Sequence, residues 1–232
     1  MFDWLTSKFR SGSAGLEKMR ADFLRMLDGG RHMFDTAAEA FLTGADVETI
    51  RKDLFKTDKQ INRAERQIRR EIVVHTAVHG AGEVSACLVL MSIAKDAERV
   101  GDYGKNLFDL AEIAPGAPEG EHRDRLVGLK DRVSRVMAGC REVFESSEAK
   151  AARELIVEAK RIEDACDDSV RSLVQAAAPD PMAPAYVLAY RYFKRITAHM
   201  RNVASSIVQP VHKIDFTSKI TAEETYREAP EK

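Results

Sequence analysis

Apolar residues return every three or four positions through most of the chain, and the strict alternation of a half-buried strand is nearly absent. A first helix is predicted from about Leu16 to Leu42, where Met19, Phe23, Met26, Leu27, Met33, Phe34 and Phe41 form one stripe and "TGAD" closes it. Asp46 caps a second helix that runs through "ETIRKDLFKTDKQINRAERQIRREIVVH" until "HGAG" breaks it. A third starts near Glu83 and stops at "APGAPEGE", a Pro/Gly-rich linker. The pattern then begins again. Leu126, Leu129, Val133, Val136, Met137, Cys140, Val143 and Phe144 mark a fourth helix. A fifth follows Ser146 and Ser147 and ends near "AAAPDPMAP", and a sixth covers about Ala185 to Gln209. The expected fold is all-α, two tandem three-helix bundles over residues 1–113 and 121–209, followed by a polar tail over 210–232.

The two sets of helices also align with each other. "TDKQINRAERQIRREI" laid beside "RIEDACDDSVRSLVQA" places Asp58 with Glu163 and Asn62 with Asp167. "AERVGDYGKNLFDLA" beside "FKRITAHMRNVASSI" matches Arg99 with Arg195, Val100 with Ile196, Asn106 with Asn202 and Leu107 with Val203. A unit of roughly a hundred residues implies tandem bundles, not a short-repeat solenoid.

Charge and composition narrow the function. Lysine and arginine total 36 against 37 acids, so no overall basic footprint for nucleic acid exists and any charged site is local. Cys87, Cys140 and Cys166 are an odd number in apolar or helical contexts, which predicts buried thiols in a reducing cytoplasm. "MFDWLTSKFRSG" lacks the apolar run of a secretory signal, and "VSACLVLMSIA" is shorter than the roughly 20 residues of a spanning helix. A cytoplasmic protein is expected, with peripheral contact at the inner membrane face left open. Phe2, Trp4, Leu5 and Phe9 with Lys8 and Arg10 suit a first short helix that docks on the core or on a surface.

The third helix carries an unexpected number of acids. Glu98, Asp102, Asn106 and Asp109 are spaced to share one face, and Asp58, Asn62 and Glu65 do the same on the second helix. Two neighbouring helices joined by a short break pack antiparallel, so the strips can meet. Crowded carboxylates repel unless a cation neutralises them, and clustered oxygen ligands suit a hard or borderline ion. Lys95, Arg99 and Lys105, with Lys59, Arg63, Arg66 and Arg69, offer the other solution, a face of ion pairs.

"DAERVGDYGKNLFDLAE" resembles the signature of the PhoU family of phosphate-uptake regulators, in Asp96, Glu98, Arg99, Val100, Gly101, Asp102 and Asn106. "DKQIN" with the following Glu65 is similar to the family's preceding helix, and the resemblance extends over nearly the whole chain. It implies a non-catalytic regulator or adaptor that contacts a phosphate transporter or its sensor kinase, with a homodimer possible. It also implies metal on Glu/Asp-x-x-x-Asp motifs: Asp58 with Asn62, and Glu98 with Asp102, supported by Glu65, Arg99, Asn106 and Asp109. Iron, Zn, Mn, Mg and Ca are not distinguished. In the second repeat Glu163 and Asp167 keep one motif, but its partner reads Lys194 and Ala198. Lys194 is therefore expected to pair with Glu163 or Asp167 in place of an ion, and Gly101 becomes Thr197, removing a point of close helix contact.

Other motifs carry less. His75 and His79 are a two-ligand spacing at a helix end, better read as histidines facing the helix dipole. No ferritin-type set of two Glu-x-x-His pairs and no phosphate loop occurs. A metal-dependent hydrolase or redox enzyme using Asp58, Glu98 and Asp102, or a purely structural helical partner, are the rival readings.

Overall fold

The computed structural model describes residues 13–79 and 82–217, so the N-terminal aromatic segment and most of the polar tail lie outside the described residues. Six long helices follow one another: α1 Ala14–Thr43, α2 Val47–His79, α3 Val84–Ile113, α4 Gly120–Ser146, α5 Ala149–Gln175 and α6 Ala183–Val208. The six long predicted helices are all present, with ends shifted by a few residues. Their boundaries follow the local chemistry. Ser13 caps α1 by accepting from the Leu16 N–H, and Gly44 ends it at φ 67°, a left-handed turn that glycine adopts without steric cost. Asp46 accepts from the Glu48 N–H at 3.0 Å and starts α2, as its sequence position foretold. Pro184 stands in the first turn of α6, where a missing N–H costs nothing.

The packing order explains the composition of each helix. α1 and α3 touch each other and α2, while α6 touches α4 and α5. The halves join through α3 against α6 and α1 against α4, so α1, α3, α4 and α6 are central and α2 and α5 flank them. A flanking helix buries only one stripe. On α2 this is Leu54, Ile61, Ile68 and Ile72, and on α5 it is Ala152, Ile156, Ala159, Ile162 and Cys166.

One apolar core runs through both halves. Phe23 of α1 meets Phe144 of α4 at 4.6 Å between ring centroids, and Phe34 of α1 meets Phe193 of α6 edge-on at 5.1 Å. Polar ties border the seam: Arg141 reaches Asp28 at 3.1 Å, and Ser134 donates to Asp35 at 3.0 Å. All three cysteines are buried free thiols. Burial pushes the Cys140 and Cys166 thiols up to about 12, which leaves them unreactive at neutral pH. The segment after α6 is less frayed than its polarity suggested. A short 3-10 turn over Val211–Lys213 leads to buried Ile214 and Thr217, and Arg201 donates to the Thr217 hydroxyl. Among the described residues no helix is long and apolar enough to cross a membrane.

Candidate functional site

The acidic strips of α2 and α3 do face one another, and the helices approach closely where they cross. Gly101 lies against Ile61, whose side chain stands 3.3 Å from where a Cβ would be. Asp58 is almost buried, on the same side of α2 as the core stripe. What lies between the strips is a lysine. The Lys105 ammonium is 3.1 Å from Asp58 Oδ1 and 3.4 Å from Asp102 Oδ1, so one cation from α3 bridges a carboxylate on each helix.

Glu98 and Glu65 have basic neighbours as well, and Asp102 has a second one. Glu98 pairs with Lys95 at 2.7 Å, Asp102 accepts from Arg99 at 3.2 Å, and Glu65 pairs with Arg69 at 2.9 Å. Asn106 and Asp109 sit on exposed α3 surface, and Asn62 lines a shallow basic hollow with Lys59, Arg63 and Arg66. Among the described residues no three His, Cys, Asp or Glu side chains gather where they could hold a metal ion. Arranged this way, Asp58, Asn62, Glu98 and Asp102 do not fit an ion, because an ammonium stands between the two carboxylates that would share it.

The charge state of Lys105 follows from its position. Burial by itself lowers its pKa, but hydrogen bonds and charge from Asp58 and Asp102 outweigh that, and the net shift is upward. A raised lysine pKa contributes stability that is complete below the ordinary lysine value and is lost only as pH rises through the raised one. The bridge therefore stays charged throughout the neutral range.

The corresponding face of the second half is closed in a related way. Lys194 of α6 donates to Asp167 of α5 at 2.7 and 2.5 Å, the pairing expected from sequence. Glu163, which is buried, takes a two-pronged contact from Arg201 at 2.8 and 3.3 Å. Burial raises the Glu163 pKa, and the nearby Arg201 only partly offsets it. Thr197 fills the place of Gly101 fully buried, its hydroxyl bonded back to the Phe193 carbonyl at 2.8 Å.

A family model described as the PhoU domain matches residues 23–111, from within α1 to near the end of α3. This part of the chain is similar to the PhoU domain. The whole fold is similar to the crystal structure of PhoU from Pseudomonas aeruginosa, with a TM-score of 0.74 at 23% identity over 84% of this chain and 96% of that one. The phosphate transport system regulatory protein PhoU from Streptococcus pneumoniae is similar too, with a TM-score of 0.73 at 16% identity over 83% of this chain and 93% of that one. These likenesses extend the fold to α4–α6, beyond the span of the domain match. No curated protein matches the chain.

Two polar clusters make contacts between helices that the sequence spacing did not foretell. His75 lies at the α2 end but is buried, and its Nε2 contacts the Glu83 carboxylate. Glu83 also accepts from the Ser13 N–H at 2.9 Å and the Ser13 hydroxyl at 2.8 Å, so one carboxylate ties the ends of α1, α2 and α3 together. The Ser13 N–H, opposed by burial but reinforced by His75, holds the Glu83 carboxyl below its usual range. The His79 ring lies tilted against that of His75 at 4.3 Å between centroids, so the pair is a helix-end tie.

The second cluster joins the halves. Asp96, the first acid of the signature, is buried and accepts from His199 Nδ1 at 2.8 Å and from the Asn202 amide at 2.9 Å. It faces α6, away from the α2 strip. Only the register of Asn202 with Asn106 hinted that this part of α6 keeps polar side chains inward.

Proposed function

We propose that this chain is a regulatory adaptor of phosphate transport, acting through its helix surfaces on a phosphate transporter or on the kinase that senses for it. The observation that carries the reading is the PhoU-domain match over α1–α3. The six-helix likeness to a phosphate transport system regulatory protein supports it. The rival hydrolase or redox reading needs Asp58, Glu98 and Asp102 to share an ion, whereas they pair with Lys105, Lys95 and Arg99. In this reading Lys105 supplies the positive charge of the first face and Lys194 that of the second, from different positions of the repeat. The adaptor is then closed without an added metal.

Radiolabelled phosphate uptake tests the role. Cells lacking the gene and cells carrying it are compared across a range of external phosphate concentrations. Regulation predicts that loss of the gene changes how uptake depends on external phosphate, and that restoring it returns the original curve. Superimposable curves would remove the phosphate-transport reading.

A further inference from the structure

α2 has a second face that the bundle leaves uncovered. Lys52, Lys56, Lys59, Arg63, Arg66 and Arg70 recur at alternating steps of four and three, and all six are exposed. At about 100° per residue they fall within roughly 40° of one direction, a straight line of cations ~27 Å long on the crest of the helix. Among the described residues the ion pairs made by α2 use Glu48, Arg51, Asp53, Asp58, Glu65, Arg69, Glu71 and His75 instead. No acid follows on this crest after Lys52, because Asp53, Asp58, Glu65 and Glu71 all turn to the flanks or inward.

The line is bordered by apolar side chains. Val73 and Val74 continue it with 65% and 59% of their surface exposed, and Val78 is 71% exposed. Phe55 is exposed within a shallow hollow that Lys52, Lys56 and Lys59 also line. The flanking helix of the other half provides an internal comparison. On α5 the outward charges neutralise one another, through Lys160 with Asp164, Arg161 with Glu158 and Arg171 with Asp168. Among the described residues the cationic crest of α2 thus lacks the ion pairs seen on α5, in a chain whose net charge is −1.

We propose that the outer face of α2 is a docking surface for an anionic lipid bilayer. A plane of phosphate headgroups above hydrocarbon matches both halves of the pattern: the cations lie along the headgroups, and the valines and Phe55 dip beneath them. The shape agrees. A single helix crest is convex and offers no groove for a partner helix, whereas a headgroup layer yields around it. A second copy would bring the same cations into opposition, and nucleic acid would leave the valines exposed.

Co-sedimentation of the full chain with vesicles tests the assignment, using phosphatidylcholine alone and phosphatidylcholine with roughly 30% phosphatidylglycerol in ~0.1 M salt. Binding is expected on the anionic vesicles only and should weaken as salt rises. The triple variant Lys59→Gln, Arg63→Gln, Arg66→Gln should lower partitioning on the order of 100-fold. The triple variant Lys160→Gln, Arg161→Gln, Arg171→Gln on α5 removes the same charge and should stay within about 3-fold of wild type. Val74→Ser with Val78→Ser should reduce the part of binding that survives high salt. Inorganic phosphate replacing chloride at constant ionic strength should not release the protein, because a free anion offers no surface to the valines. Helical circular dichroism confirms that each variant is folded. Three results overturn the proposal: no binding to anionic vesicles, as a protein-only docking face would give; equal binding to both vesicle types; or equal losses from the α2 and α5 triples.

Discussion

Phe34→Ala is expected to cost about 3–5 kcal/mol of stability, measured by urea unfolding. Phe34 has no exposed surface and its ring packs edge-on against Phe193 across the seam between the halves. Removing it opens a cavity bordered by helices from both repeats. Those helices are held by many other contacts and cannot collapse to fill it, so the loss of buried area and the cavity add. Phe216 is the control: it is 74% exposed, and Phe216→Ala should change stability by less than about 0.5 kcal/mol. A cost for Phe34→Ala below about 1 kcal/mol would mean that the halves do not share one core.

Asp96→Ala is expected to cost about 2–4 kcal/mol, through polarity instead of volume. The buried carboxylate is the acceptor for both His199 and Asn202, and alanine leaves those two donors without a partner between α3 and α6. Asp96→Asn keeps an acceptor oxygen and should recover at least half of the loss. The nearby Asp215 carboxyl gives a second readout. Burial first, and then the Asp96 charge, raises its pKa, so Asp96→Asn should bring the Asp215 titration down toward the ordinary aspartate range, as followed by NMR. An unmoved Asp215, or equal stability of the two Asp96 variants, would contradict the placement of Asp96 at the seam.

The two effects show why some of the fold was legible in the chain and some was not. Helical periodicity is a local signal, so α1–α6 and the Asp46 cap could be read directly. The repeat alignment went further, because it placed a lysine opposite acids at Lys194 and the structure pairs it with Asp167. Lys105 was visible only as one of several bases near the acidic strip. Its distinction is that its ammonium reaches Asp58 on the neighbouring helix, a contact 47 positions away in the sequence that spacing along α3 does not encode. His75 with Glu83 and Ser13, and Asp96 with His199, lie deeper still. Each is a buried polar contact between helices whose apolar stripes would look the same without it. The start of the tail was harder to read for a related reason. Ile214 and Thr217 dock as single side chains with no periodicity to announce them.

The same distinction bears on the acidic face. Carboxylates at helical spacing define a place where positive charge is needed, but they do not specify its source. In this chain one lysine on the third helix of each half reaches an acid of the helix before it. An ammonium tethered by its own side chain is present at every metal concentration, so the proposed adaptor would not depend on supply of an ion at this face.

Metal titration of chelator-treated protein tests that substitution most directly, with thermal unfolding followed as Mn²⁺ or Fe²⁺ is added. Wild type should shift by less than about 1 °C, and Lys105→Ala combined with Asn62→Asp should gain a saturable upward shift as the freed carboxylates take up an ion. A saturable, near-stoichiometric shift in wild type that Asp102→Ala abolishes would show instead that the acidic face is a metal site and that Lys105 gives way to the ion.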